Sequence, residues 1–131
     1  LVKAKEELRI LLVDDNKSMR KMLSSVLRKN GFQHLFEAFD GSHALRILAE
    51  QEVDLALVDW NMPKITGAEL LTEIRNSPTT KDLPVIFVTS EGTQYWRTKA
   101  FELGVTGYVT KPFSAEGILE EIEKIFESFP L

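Results

Sequence analysis

Residues 54–63 read DLALVDWNMP: four apolar residues, Leu55–Val58, stop at the carboxylate Asp59, and Trp60, Asn61, Met62 and Pro63 follow. A short apolar run bounded by turn chemistry suits a strand buried on both faces of a parallel sheet. An unpaired charge is too costly to bury in such a core. Asp59 therefore belongs at the carboxyl edge of the sheet, where open α/β sheets bind ligands.

Working outward, the same arrangement recurs. Upstream, the run Arg9–Val13 (RILLV) ends in Asp14 and Asp15. Asn16 or Asp15 can cap the helix that follows, in which Met19, Met22, Leu23, Val26 and Leu27 recur at helical spacing until Asn30 and Gly31 stop it. Residues 35–39 make a weaker strand, and Asp40 caps a helix carrying Ala44, Leu45, Ile47 and Leu48. Downstream, a loop reaches Gly67 and a helix with Leu70, Leu71 and Ile74, and 76–83 (NSPTTKDL) is a polar connection. The run 84–88 (PVIFV) ends in Thr89, Ser90 and Glu91. A helix over 93–103 stops at Gly104, its core stripe expected at Trp96, Ala100 and Leu103. A last strand over 105–109 is closed by Thr110, Lys111, Pro112 and Phe113. Ser114 caps a final helix striped by Ile118, Leu119, Ile122, Ile125 and Phe126.

Five strands alternating with five helices predict an α/β fold, a doubly wound parallel sheet covered on both faces. Right-handed crossovers bring the strand ends to one edge, so Asp14, Asp15, Asp59, Thr89 and Lys111 converge there. Residues 1–8 are expected to be a flexible N-terminal segment and 9–129 the domain. The 131-residue chain is long enough for one core. Its net charge of −4, with both signs interspersed, argues against nucleic acid or an anionic membrane as a direct partner. It has no cysteine, which excludes disulfides and thiolate-ligated metals. No apolar run approaches the ~20 residues of a membrane span. A cytoplasmic monomer is expected. The leading Leu1 suits a segment cut from a longer protein.

Three carboxylates at one rim repel one another unless cations compensate, and Lys111 supplies a single positive charge. A hard divalent ion fits: Mg²⁺, with Mn²⁺ as a possible substitute, takes oxygen ligands and pairs with phosphate. A carboxylate can attack phosphorus to form an aspartyl-phosphate, with Thr89 and Lys111 neutralising phosphoryl oxygens. Taken singly, each residue has a plainer role: Asp14, Asp15 and Asp59 as caps or turn formers, Thr89 as a strand residue, Lys111 as a surface charge. Four polar strand ends at one edge outweigh those readings. His34 and His43 have no partner spacing for a metal or triad.

Val13-Asp14-Asp15, the 59–63 segment DWNMP with Gly67, Val88-Thr89-Ser90 and the 107–113 segment GYVTKPF together resemble the receiver domains of bacterial two-component response regulators. Within that family, DWNMP, Glu91 and GYVTKPF are most similar to the single-domain chemotaxis regulators. The resemblance implies a flavodoxin-like sheet in the order 2-1-3-4-5. It implies phosphorylation of Asp59 by a partner histidine kinase or a small phosphodonor, and Mg²⁺ on Asp15, Asp59 and the Asn61 carbonyl, with Asp14 on a metal-bound water. Lys111 and Thr89 would meet the phosphoryl group, and the Lys111–Pro112 peptide would be cis. Thr89 and Tyr108 would form the switch, Tyr108 turning inward and reshaping the face of helix four, strand five and helix five. Asn61 and Glu91 would tune dephosphorylation, which is expected to be rapid. Phe101, Tyr108 and Arg97 would sit on the output face, toward the flagellar motor switch or another effector. Enteric chemotaxis regulators carry an apolar residue where Arg97 stands and a lysine where Glu121 stands. Thr66 replaces an acidic residue frequent before Gly67.

Other readings are a receiver cut from a multidomain regulator or hybrid kinase, a phosphatase and a flavodoxin. An aspartyl-nucleophile phosphatase places a second Asp two residues after the first, where this chain has Asn61. A flavodoxin needs a Ser/Thr/Gly-rich phosphate loop where Asp14 and Asp15 would repel the flavin phosphate. The chain is thus expected to be no enzyme beyond its own phosphorylation and dephosphorylation.

Overall fold

The computed structural model describes residues 3–126. Five parallel strands, β1 (Arg9–Val13), β2 (His34–Ala38), β3 (Leu55–Val58), β4 (Val85–Thr89) and β5 (Gly107–Thr110), lie in the order β2-β1-β3-β4-β5. The helices between and after them are α1 (Lys17–Lys29), α2 (Gly41–Glu50), α3 (Gly67–Asn76), α4 (Gln94–Glu102) and α5 (Ala115–Phe126). This is the doubly wound sheet expected from the strand–helix alternation, in the order that the resemblance implied. The predicted end of the domain at 129 lies outside the described residues.

Strand residues alternate between two cores. Leu11, Val13, Ala56, Val58, Val85 and Phe87 face the layer of α2, α3 and α4, while Ile10, Leu12, Leu55, Leu57, Ile86 and Val88 pack with Leu23, Leu27, Ile118 and Ile122 of α1 and α5. Burial on both faces explains why the inner strands are apolar without interruption, whereas edge strand β2 is partly exposed. In register, Val13 pairs with Val58 and Val58 with Phe87, so the next residues of β1 and β3 leave the sheet together as Asp14 and Asp59.

The helix starts follow local capping chemistry. Asn16 accepts the Met19 amide at 3.0 Å, and Asp40 accepts that of His43 at 2.8 Å. Thr66 opens α3 with a reciprocal capping box: its hydroxyl accepts the Glu69 amide at 3.1 Å, and Glu69 accepts the Thr66 amide at 3.0 Å. That gives a structural role to the departure from an acidic residue at this position.

Within the 1–8 segment, Lys5–Glu7 form a 3-10 turn, Leu8 is buried, and Lys3 pairs with Asp54 at 3.1 Å. Other expectations need correction. Helix α4 ends at Glu102, so Leu103 is its cap and is 40 % exposed; Val105 fills the core place expected of it. Met22 is exposed although it falls on the helical spacing of α1, where Leu23 and Leu27 carry the contact. Phe39 lies just beyond β2 and is exposed, its ring 4.4 Å from that of His43.

Candidate functional site

The strand ends form an acidic rim. One carboxylate oxygen from each of Asp14, Asp15 and Asp59 lies within 4.8 Å of the others. Asp14 and Asp59 are 2 % and 8 % exposed, while Asp15 faces solvent. Lys111, following β5, reaches across the sheet edge to Asp14 Oδ2 at 2.9 Å and Asp59 Oδ2 at 3.3 Å. Residues up to 97 positions apart thus meet at one place. The peptide joining Lys111 to Pro112 is cis, as the resemblance implied.

The site's electrostatics show an incomplete balance. Burial raises the Asp59 pKa, the Lys111 charge opposes that rise, and Asp14 adds to it, leaving the carboxyl above its ordinary value of 3.8. Burial alone would lower the Lys111 pKa; its hydrogen bond to Asp14 and the Asp59 charge more than offset this, so the ammonium is held above its usual range. One ammonium therefore pairs with two of the three acids, and Asp15 is left without an ion pair among the described residues. Clustered hard oxygen donors with surplus negative charge are the chemistry that a divalent cation of the Mg²⁺ class takes, so the residues fit such an ion.

Asp14 is fixed through four separate contacts. Its N–H donates to the Ala38 carbonyl at 3.2 Å, and its carbonyl accepts Arg20 Nη1 at 2.7 Å. Its Oδ1 accepts the Asn16 amide at 2.8 Å, and its Oδ2 takes Lys111. Asp59 is set by the end of β3, where its N–H donates to Val13 O at 3.0 Å. Gly67 packs against the same turn so closely that a Cβ there would stand 2.3 Å from the Asp59 carbonyl oxygen. Only a residue without a side chain fits.

The other predicted residues surround this rim. The fully buried Thr89 ends β4, and its hydroxyl accepts the Glu91 amide at 3.4 Å. Asn61 Nδ2 donates to Glu91 Oε1 at 3.1 Å, joining the loops after β3 and β4. Tyr108 is buried, its hydroxyl donating to the Glu91 carbonyl and its ring lying 5.2 Å from the Arg97 guanidinium. Its N–H donates to Glu121 of α5 at 3.3 Å. Burial, then the nearby Glu91, raises the Tyr108 pKa, and Arg97 opposes them. Phe101 is 48 % exposed on α4, in keeping with the expected orientation. An aromatic chain runs from Trp60, beside Asp59, to Phe87 and Trp96, each at 5.1 Å, and from Trp96 to exposed Tyr95 at 5.2 Å.

Sequence reasoning missed two arginines. Arg20 bridges the Asp14 carbonyl and Glu37, the latter at 3.1 Å. Arg75 donates to the carbonyls of Gly104 (2.9 Å), Lys81 (3.2 Å) and Leu83 (2.7 Å), tying the end of α3 to the connections before β4 and β5. Both act on backbone carbonyls, which leave no trace in residue spacing.

Comparison with known proteins agrees with this geometry. Residues 10–123 match the response regulator receiver domain family. The chain is 44 % identical over 120 residues to the chemotaxis protein CheY of Pseudomonas aeruginosa, covering 92 % of this chain and 97 % of that one. It is 40 % identical over 122 residues to CheY-3 of Vibrio cholerae, covering 93 % and 94 %. Among solved structures, the chemotaxis protein CheY4 of Vibrio cholerae superposes with a TM-score of 0.84 at 30 % identity, covering 90 % of this chain and 98 % of that one. The Francisella response regulator 1452 receiver domain gives 0.84 at 26 % identity, covering 92 % and 98 %.

Proposed function

The chain belongs to the response regulator receiver domain family, and from that membership we propose that Asp59 is the phosphoacceptor of a two-component signalling pathway. The observation that carries this reading is the meeting of Asp14, Asp15, Asp59 and Lys111 at one sheet edge. A histidine kinase or a small phosphodonor presents the phosphoryl group. An Asp59 carboxylate oxygen forms the new P–O bond as the donor bond breaks. With a phosphohistidine donor the imidazole leaves with the electron pair and takes a proton from solvent. Lys111 pairs with one phosphoryl oxygen and Thr89 donates to another. Asp15, Asp59 and the Asn61 carbonyl would hold Mg²⁺ (or Mn²⁺), with the Asp14 carboxylate beside them; the ion would supply charge neutralisation at phosphorus.

The protein then works as a switch and not as a turnover enzyme. Phosphorylation acts through Thr89 and Tyr108, whose ring is already buried here, and alters the face of α4, β5 and α5, where Arg97 and Phe101 meet the output partner. The names of the curated relatives support a chemotaxis pathway; the output partner in this reading is a cytoplasmic effector such as the flagellar motor switch. Asn61 and Glu91 set the lifetime of the acyl phosphate. Incubation with acetyl phosphate and Mg²⁺, read by intact mass, tests the reading. One added phosphoryl group is expected, lost on chelation and in Asp59→Asn; an equal gain in that variant contradicts it.

A further inference from the structure

Asp14 and Asp15 are held in different ways. The Asp14 carboxylate is fixed on both oxygens, by Asn16 and Lys111. Asp15 is exposed, and its carboxylate makes no hydrogen bond or ion pair among the described residues, yet it lies with the other two acids. Its direction is therefore set by its backbone, and the peptide entering it is the one whose carbonyl belongs to Asp14. That carbonyl is gripped by Arg20 Nη1 at 2.7 Å, while Arg20 Nε is turned toward Glu37 of β2 at 3.1 Å. The Arg20 side chain is mostly buried between α1 and β2 and so is restricted in its choice of geometry.

We propose that Arg20 is a positioning residue for Asp15: by fixing the peptide between Asp14 and Asp15, it aims an otherwise untethered carboxylate into the acidic cluster and thereby sets the affinity for the divalent cation. The proposal rests on reading that cluster as the cation site. Supports behind metal ligands commonly govern affinity in this way. The sign of the effect separates positioning from charge. A guanidinium acting only as a nearby positive charge weakens cation binding, so its removal would tighten it. A guanidinium that orients a ligand strengthens binding, so its removal weakens it.

The test is a Mg²⁺ titration followed by amide NMR shifts of Asn16 and Asn61 in the unsubstituted chain, Arg20→Ala and Arg20→Lys. The shifts report affinity on folded molecules, so a loss of stability alone does not move the result. Arg20→Ala is expected to raise the Mg²⁺ Kd by about tenfold. Arg20→Lys keeps the charge but cannot span both the carbonyl and Glu37, and a smaller rise is expected; it also serves where the alanine variant unfolds. A Kd unchanged or lowered in either folded variant, with a normal response in the unsubstituted chain, overturns the role of Arg20 alone. No Mg²⁺ response in the unsubstituted chain overturns the cation site itself.

Discussion

The Arg97 guanidinium stands over the ring of Tyr108 at 5.2 Å, so a helix α4 residue and a strand β5 residue are joined on the proposed output face. Together with the hydroxyl bond to Glu91, this contact holds Tyr108 in its buried position. A cation–π contact of this kind is worth about 0.5–1 kcal/mol, which corresponds to about a two- to fivefold change in a conformer ratio. Arg97→Ala should raise the outward population of Tyr108 by that factor. Fluorotyrosine NMR in a Tyr95→Phe background, which leaves one signal, reads it directly; an unchanged spectrum counts against the contact.

Metal-free stability should depend on Asp59 in a defined direction. Its folded pKa is raised above 3.8, chiefly by burial, so the folded chain binds this proton more tightly than the unfolded chain. Stability is then lost as pH climbs from about the unfolded value through the raised folded value. Asp59→Asn removes that loss. In metal-free buffer at neutral pH the variant should melt a few degrees higher, and the gain should vanish below the unfolded pKa. Mg²⁺ should narrow the difference, since it stabilises the unsubstituted protein. Equal melting of the two proteins at neutral pH contradicts the strained carboxylate.

Gly67→Ala should damage the site and the fold together. The added Cβ would stand 2.3 Å from the Asp59 carbonyl oxygen and 2.8 Å from Trp60 Cα, both backbone atoms that cannot move aside cheaply. A loss of about 1–3 kcal/mol is expected, with slower phosphorylation of the molecules that remain folded because Asp59 is displaced. Urea melts and the rate of mass gain measure the two effects.

The Asn61–Glu91 hydrogen bond, at 3.1 Å, joins the loops flanking Asp59 through polar side chains. Self-dephosphorylation should be rapid, and the bulkier, apolar Asn61→Met should lengthen the phosphorylated half-life by excluding water. A phosphorylated form of the unsubstituted protein that persists for hours in Mg²⁺ buffer contradicts this.

Most of the architecture was legible because inner strands buried on both faces read as uninterrupted apolar runs, and each ended in the polar residue that the rim uses. Asp14, Asp15, Asp59 and Lys111 could be placed at one edge because parallel strands joined by right-handed crossovers all end on the same side. Helix faces were less secure: Leu103 matched the spacing of Trp96 and Ala100, but α4 stops one residue before it, and a cap does not face the core. Met22 failed because neighbouring Leu23 and Leu27 already cover the sheet. Arg20 and Arg75 were invisible for a different reason. Their partners are carbonyl oxygens, present at every position, so only the folded backbone shows which ones lie within reach.

The central claim is that Asp59 captures phosphorus, and the most direct measurement is transfer of radiolabelled phosphate from a phosphorylated histidine kinase in Mg²⁺, followed by peptide mapping. The account predicts a single label on the peptide containing Asp59, released by hydroxylamine as an acyl phosphate is, and absent from Asp59→Asn. Label resistant to hydroxylamine on a serine or threonine, or full labelling of Asp59→Asn, would contradict it.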